Sequence, residues 1–347
     1  MQKNIVAEPQ LAGQGKQKIE WVKRNMPILR QIEDDFRKHQ YFSGLRVLVC
    51  IHLEAKTAYL AQVFAAGGAE VAVTGSNPHS TKDDVVAALA EEGMHVYARY
   101  GATPEEMRQY MNRALDVRPN IMIDDGGDIA ELVHTERQEL LPEVLGACEE
   151  TTTGVLRAKA RAKAGVLEFP VVLINDARCK YLFDNYHGTG QSVWDGVMRT
   201  TNLVVSGKTV VIIGYGWCGK GCAERAQGLG ANVIVCEVDP IKAADALMHG
   251  LRVMPLNQAV PEGDIILTVT GGKHVIRQEH YERMKDGVIL ANAGHFKIEF
   301  DLDALLNLSV EQKEMRHNIT GFLMADGRWL NLLGDGDLVN IACADGH

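Results

Sequence analysis

Acid–base chemistry on a bound ligand needs carboxylates, a lysine or histidines at positions the fold does not already use, and several stretches of this chain offer them. In IDDGGD (123 to 128) the glycines let the backbone turn sharply, so Asp125 is either the carboxylate of an Asx turn or a group left over for a ligand. EETTTG (149 to 154) places Glu150 before three successive hydroxyls, Thr151, Thr152 and Thr153; a helix cap uses one of them, and the surplus points to ligand contact. Lys180 and Asp184 are spaced i, i+4 and share a face if the segment is helical. That spacing suits a surface ion pair, or a lysine and carboxylate that position and deprotonate a sugar hydroxyl. His295, in ANAGHF, and His347, after Asn340, stand at loop positions following apolar runs, where a histidine is a candidate acid or base.

A phosphate-binding turn gives these groups a context. Gly214, Gly216 and Gly219 occupy the three positions of G-x-G-x-x-G in GYGWCGKG, directly after the apolar run KTVVII and before helical spacing. The amides of Trp217 and Cys218 would face a diphosphate at the positive end of the helix dipole. Glu237, at the end of the next strand NVIVCEV, can accept both ribose hydroxyls of an adenosine and would repel a 2′-phosphate, which favours NAD over NADP. Lys242 nearby argues the other way unless it is a solvated helix residue.

The elements that must hold these groups alternate. Residues 17 to 39 are expected to form one helix, with Trp21, Met26, Ile28, Leu29, Ile32 and Phe36 on its apolar side. Strands LRVLVCI, AEVAVTG, MHVYARY and PNIMIDD then alternate with helices, one starting at a Thr81 cap and one at a Thr103 cap with Pro104 in its first position. Such alternation means parallel β-α-β units, so the expected fold is α/β, with two Rossmann-like doubly wound parallel-sheet domains. A substrate-binding domain is expected over residues 1 to 190 and an NAD-binding domain over 191 to 347, the boundary lying near 185 to 191 where HGTG supplies flexible residues. Strand ends of the first domain carry His52, Ser76, Asn77, Asp124, Asp125 and Asp128, where open α/β sheets bind ligands. Late in the chain, Asp326-Gly327 reads as the tight turn of a hairpin.

Bulk properties narrow the classes. With 347 residues, 46% of them hydrophobic, and a formal charge of −9, the chain suits a two-domain globular protein rather than a nucleic-acid binder. No apolar run approaches the roughly 18 residues a membrane helix needs. The start, MQKNIVAEPQ, lacks a signal-peptide core, which points to the cytoplasm. Seven scattered cysteines, without a paired C-x-x-C or a histidine cluster, read as reduced thiols and not as a metal site.

Set in order, HLEAKT, SNPHST, DDGGD, EETTTG, NDARCKYLFDN, GTGQSVWDG, GYGWCGKG, EVDP, NAGHF and LVN-IACADGH resemble the S-adenosyl-L-homocysteine hydrolase family from about residue 44 to the last residue. The resemblance implies a substrate domain and an NAD domain, assembled as a homotetramer, that hydrolyse a nucleoside thioether through a 3′-keto intermediate. It implies that Lys180 and Asp184 assist oxidation at the 3′-hydroxyl, that Asp125 is the base at C4′, and that Glu150 binds ribose hydroxyls. His52 and His295 would handle the leaving sulfur and incoming water; Thr151, Thr152, Thr153, Asn185, Gly216, Glu237, Asn340 and His347 would hold or adjoin the cofactor. Unlike the common form, the purine region carries Glu54 and Lys56, the version similar to an archaeal and thermophile-type branch associated with S-inosylhomocysteine. Glu54 suits adenine's 6-amino group and Lys56 the 6-carbonyl of hypoxanthine, with the lean toward adenosine. Thr189 replaces a cysteine, and Lys242 stands where an asparagine often meets the adenosine ribose. Family members continue past ADGH with a returning helix and a tail that reaches a neighbour's NAD; a chain ending at His347 would hold NAD much more weakly. Two other readings are a catalytically silent NAD-binding homologue and a 2-hydroxyacid dehydrogenase, for which DDGGD and EETTTG have no use.

Overall fold

The computed structural model describes residues 4–347, and the chain divides into two compact units, Met1–Asp176 and Ala177–His347. The break precedes the stretch at 185 to 191 because residues 180 to 188 are helical and run straight into the next helix of the second unit.

The first unit opens with α1 (Ala12–Asn25) and α2 (Pro27–His39), two helices where one was expected. Pro27 is the cause: it has no N–H to donate, and it holds Met26 out of the helical region at φ −118°, ψ 70°. The expected apolar side also fails at Trp21 and Ile28, which are 70% and 74% exposed, while Phe36 packs against the core.

Five β-α steps follow: β1 (Arg46–Ile51), α3 (Ala55–Ala66), β2 (Glu70–Gly75), α4 (Asp83–Glu91), β3 (His95–Tyr97), α5 (Pro104–Leu115), β4 (Ile121–Asp124), α6 (Asp128–Thr135), β5 (Gly146–Glu149), α7 (Thr152–Ala164) and β6 (Val171–Leu173). The strands form one parallel sheet in the order β3-β2-β1-β4-β5-β6, the doubly wound arrangement. Helices cover both faces, so β1 is apolar after Arg46: Val47 and Val49 enter one core cluster while Leu48 and Cys50 enter another. Thr103 caps α5 in a full capping box with Glu106, as its sequence implied. Thr81 caps nothing; its hydroxyl donates to the Asn77 carbonyl, and α4 starts later, after Lys82.

The second unit begins with a π-helix over Lys180–Gly188, continued by α8 (Thr189–Thr201). Then come β7 (Thr209–Ile213), α9 (Trp217–Gly228), β8 (Asn232–Cys236), α10 (Pro240–Met248), β9 (Arg252–Val253), β10 (Ile265–Thr268), β11 (Val288–Asn292), β12 (Ser309–Arg316), β13 (Ile319–Met324) and β14 (Trp329–Leu333). Their order is β12-β13-β14-β11-β10-β7-β8-β9. From β9 to β14 the pairs are parallel and repeat the doubly wound order; β13 and β12 add antiparallel strands, so this sheet is mixed. The β13–β14 hairpin turns at Gly327 with φ 90°, as the Asp326-Gly327 pair predicted. Val210 and Ile212 of β7 face one core cluster, Val211 and Ile213 the other. Among the described residues no helix is long and apolar enough to cross a membrane.

Candidate active site

In the first unit, β1 and β4 are the neighbours at which the strand order reverses, so the residues just past their ends lie where such sheets take ligands. Those residues are His52 and Asp125. The His52 Nε2 stands 3.3 Å from an Asp125 carboxylate oxygen, which also accepts the Ser76 hydroxyl at 2.7 Å; the Asp125 side chain is fully buried. On its other edge the imidazole meets the Ser80 hydroxyl at 2.7 Å. The two readings of Asp125 are thereby separated. The capping carboxylate is Asp124, which accepts the amides of Asp125, Ile129 and Ala130 at 3.0, 3.4 and 2.9 Å. Asp125 faces His52 and Ser76.

Glu150 follows β5, its amide bonded to the Asp124 carbonyl at 3.0 Å. Thr151 stands at the N-cap of α7 but makes no side-chain cap bond, while the Thr152 hydroxyl accepts from Asn175 at 3.0 Å. Thr153 is half-buried in the first turn of α7. Glu54 is occupied: one oxygen caps α3 by accepting the amides of Lys56 and Thr57, and the other pairs with the Lys56 ammonium at 3.0 Å.

In the second unit the π-helix decides the geometry. Its wider turn, closed by i to i+5 bonds, sets both i+4 and i+5 against Lys180. The ammonium meets an Asp184 oxygen and the Asn185 side-chain oxygen, each at 2.7 Å. The second Asp184 oxygen takes His347 Nε2 at 2.8 Å; His347 Nδ1 lies 2.9 Å from the Ser192 hydroxyl, to which Asn340 donates at 3.2 Å. Burial pushes the Asp184 carboxyl up, but the hydrogen bond from His347 and the charge of Lys180 win and pull it down to about 2. His347 needs Gly188 beside it, since a Cβ there would fall 2.2 Å from the imidazole. His295 lies in the loop after β11, shaped by Asn292, whose amide donates to the carbonyls of Gly294, Phe296 and Gly336.

The nucleotide turn fits a dinucleotide. Gly214 has φ 100°, and α9 starts at Trp217 with Gly216 as an N-cap that offers no side chain to its amides, Cys218 included. A Cβ on Gly216 would meet nothing within 4 Å, so the space in front of the turn is open, whereas one on Gly219 would sit 2.1 Å from the Gly214 carbonyl oxygen. The Glu237 carboxylate is oriented at the end of β8 by the amides of Tyr215, Val238 and Asp239. Asn340 Oδ1 is buried and has no hydrogen-bond partner among the described residues, as an acceptor awaiting a donor would be. Lys242 is a half-exposed side chain 3.9 Å from Asp239. Thr189 lies 3.8 Å from the Cys218 sulfur.

Two family models match the chain. Residues 3–142 match the family model for S-adenosyl-L-homocysteine hydrolase, and residues 185–346 match that of its NAD-binding domain. An adenosylhomocysteinase of Thermococcus kodakarensis is 56% identical over 342 residues, 99% of this chain and 81% of that protein. The chain belongs to the S-adenosyl-L-homocysteine hydrolase family. An S-inosyl-L-homocysteine hydrolase of Methanopyrus kandleri is 53% identical over 343 residues, 99% of this chain and 81% of its own. NAD is thus the cofactor of the family's nucleotide domain, and the glycine turn, Glu237 and Asn340 are the residues here that suit it.

Sequence reasoning missed several members of these clusters. Ser80 and Ser192 carry no local signal; Ser192 meets a residue 155 positions away. The buried Glu149 was passed over for its neighbour Glu150, and the buried Asp124 was named only as a strand-end polar group, although adjacent carboxylates at two strand ends were visible in the sequence.

Proposed function

We propose that the chain hydrolyses S-adenosyl-L-homocysteine to adenosine and L-homocysteine. The observation that carries this reading is Asp125: a buried carboxylate at the strand-order reversal, spared from capping duty and aligned by Ser76 and His52. Bound NAD would take a hydride from C3′ of the ribose and return it at the end of the cycle. Lys180, held by Asp184 and Asn185, acts at this step as the neutral amine: its lone pair receives the proton of the 3′-hydroxyl as the ketone forms, giving the ammonium that the Asp184 carboxylate keeps oriented. With C4′ acidified, Asp125 removes its proton; the electron pair forms the C4′–C5′ double bond and the C5′–S bond breaks. His52 and His295 supply a proton to the departing sulfur and take one from the water that adds at C5′. Glu150 fixes the ribose hydroxyls, and Thr151, Thr152, Thr153, Asn185, Glu237, Asn340 and His347 contact or adjoin the cofactor.

Two assays test it. Adding adenosine to protein loaded with NAD should develop NADH absorbance, which a silent binder does not give; S-adenosylhomocysteine should release a free thiol. In Asp125→Asn, thiol release should fall roughly a hundredfold or more while the NADH signal survives, because oxidation at C3′ precedes the step that needs this base. Equal loss of both signals would reassign Asp125.

A second reading, hydrolysis of the inosyl analogue, is favoured by the Glu54–Lys56 pair. Three of the roughly four acceptor sites of Glu54 are engaged, two by backbone amides and one by Lys56, while the Lys56 ammonium keeps N–H donors that match a 6-carbonyl. The ratio of kcat/KM for the two thioethers decides between them. By family resemblance we further infer a homotetramer acting in cytoplasmic one-carbon metabolism, whose native mass is measurable.

A further inference from the structure

We propose that Glu149 is a positioning residue: its carboxyl ties the turn that follows Asp125 to the turn that follows Glu150 and so fixes both side chains against the ribose. This rests on the reading of Asp125 and Glu150 given above. The geometry is local to the first unit. β4 and β5 pair in parallel with Asp124 opposite Glu149, so the next residues in each strand, Asp125 and Glu150, leave the sheet side by side. A single Glu149 oxygen accepts the amide of Gly126 and the amide of Thr151, each at 3.0 Å. One atom therefore holds the residue after Asp125 and the residue after Glu150.

The surrounding glycines serve the same tie. Gly126 and Gly127 have φ of 86° and 81°, the left-handed region that turns the Gly126 amide back toward β5. A Cβ on Gly154 would lie 2.1 Å from the Glu149 carboxyl carbon, so the last glycine of EETTTG makes room for that group. Arg157 of α7 closes the arrangement from outside by donating to the Gly126 carbonyl and to Asp128, both at 2.7 Å.

Glu149 is only 2% exposed. Burial, and then the charge of Asp124, raise its carboxyl to about 8, so at neutral pH it is mainly the neutral acid, whose carbonyl oxygen still accepts both amides. Asp125 adds to that rise. From α6, Asp128 is paired with Arg157 and Glu131 with Arg161; His134 of α6 lines the same recess, and from β1 the neighbouring group is the buried Cys50 thiol. Ionisation of Glu149 at alkaline pH keeps both amide bonds, which a carboxylate accepts more strongly, but places a further negative charge among Asp124, Asp125 and Asp128, and that repulsion sets the alkaline limb.

The test compares Glu149→Gln with Glu149→Leu in the NAD-loaded protein, following thiol release against pH together with amide hydrogen exchange at residues 125 to 127 and 150 to 152. Glutamine keeps the accepting oxygen and cannot ionise, so its kcat at neutral pH should stay within about threefold of the parent while the alkaline limb of the profile moves to higher pH. Leucine removes the acceptor: kcat should fall roughly a hundredfold with KM changed little, and the amides of Gly126 and Thr151 should exchange faster. The proposal is overturned if glutamine is as damaging as leucine, if the alkaline limb stays where it was, or if exchange at the two amides is unchanged in Glu149→Leu. Absence of thiol release from both thioethers in the parent protein would instead refute the hydrolytic reading, and the exchange rates would still report whether Glu149 makes the tie.

Discussion

Asp184 meets a lysine on one oxygen and a histidine on the other, and that double engagement sets its pH behaviour. A carboxyl held at about 2 in the folded chain, below its unfolded value, contributes stability that is fully present above the unfolded pKa of about 4 and is lost as pH falls through about 2. The urea midpoint of the parent should therefore drop over that window more steeply than that of Asp184→Asn. Equal slopes would mean the ladder contributes nothing to acid stability. Lys180 and Asp184 were legible at this scale because i, i+4 spacing is a local property. His347 and Ser192 were not linked to them by any spacing, since only folding brings residues so far apart in sequence together.

Elements repeat the lesson with glycines and caps. Gly216 has open space where a Cβ would go, so Gly216→Ala should melt with the parent yet bind NAD at least about tenfold more weakly by calorimetry, the methyl occupying the path of the diphosphate. Gly219→Ala should melt lower even without NAD, because its Cβ would meet the backbone of Gly214. These two variants separate a ligand-facing glycine from a packing glycine within one motif. Thr103→Ala removes a complete capping box and should cost about 1 kcal/mol in denaturant unfolding. Caps and turns of this kind follow from residue type and are readable in advance. The π-helix at Lys180–Gly188 was not, because its residues have ordinary helical spacing and the wider turn is imposed by packing against α8 and α9. Nor was β12, whose charged run is exposed along almost its whole length and shows no alternation; it is a strand because β13 pairs with it, helped by Lys313 lying 4.4 Å from the Trp329 ring centre.

For the molecule as a whole, two buried carboxyls of the first unit set a pH trend opposite to that of Asp184. Burial holds Asp124 at about 7 and Glu149 at about 8, above their unfolded values near 4. The folded chain then binds more protons than the unfolded one, and stability declines as pH rises from about 4 through 8. Parent protein should lose denaturant midpoint across that range, and the Asp124→Asn, Glu149→Gln double variant should lose distinctly less; identical curves would refute the assignment. Both doubly wound sheets were foreseeable, since strands buried on both faces must be apolar throughout and must alternate with helices long enough to cross back. The phosphate turn, Glu237 and the two carboxylate motifs were foreseeable for a similar reason: backbone conformation and charge there follow from residue type over a few positions. Which carboxylate of each adjacent pair serves the backbone was settled by folding alone. Asp124 and Asp125 differ by one step along a strand, and Glu149 and Glu150 likewise, so their duties depend on the amides that neighbouring strands and turns bring up to each face.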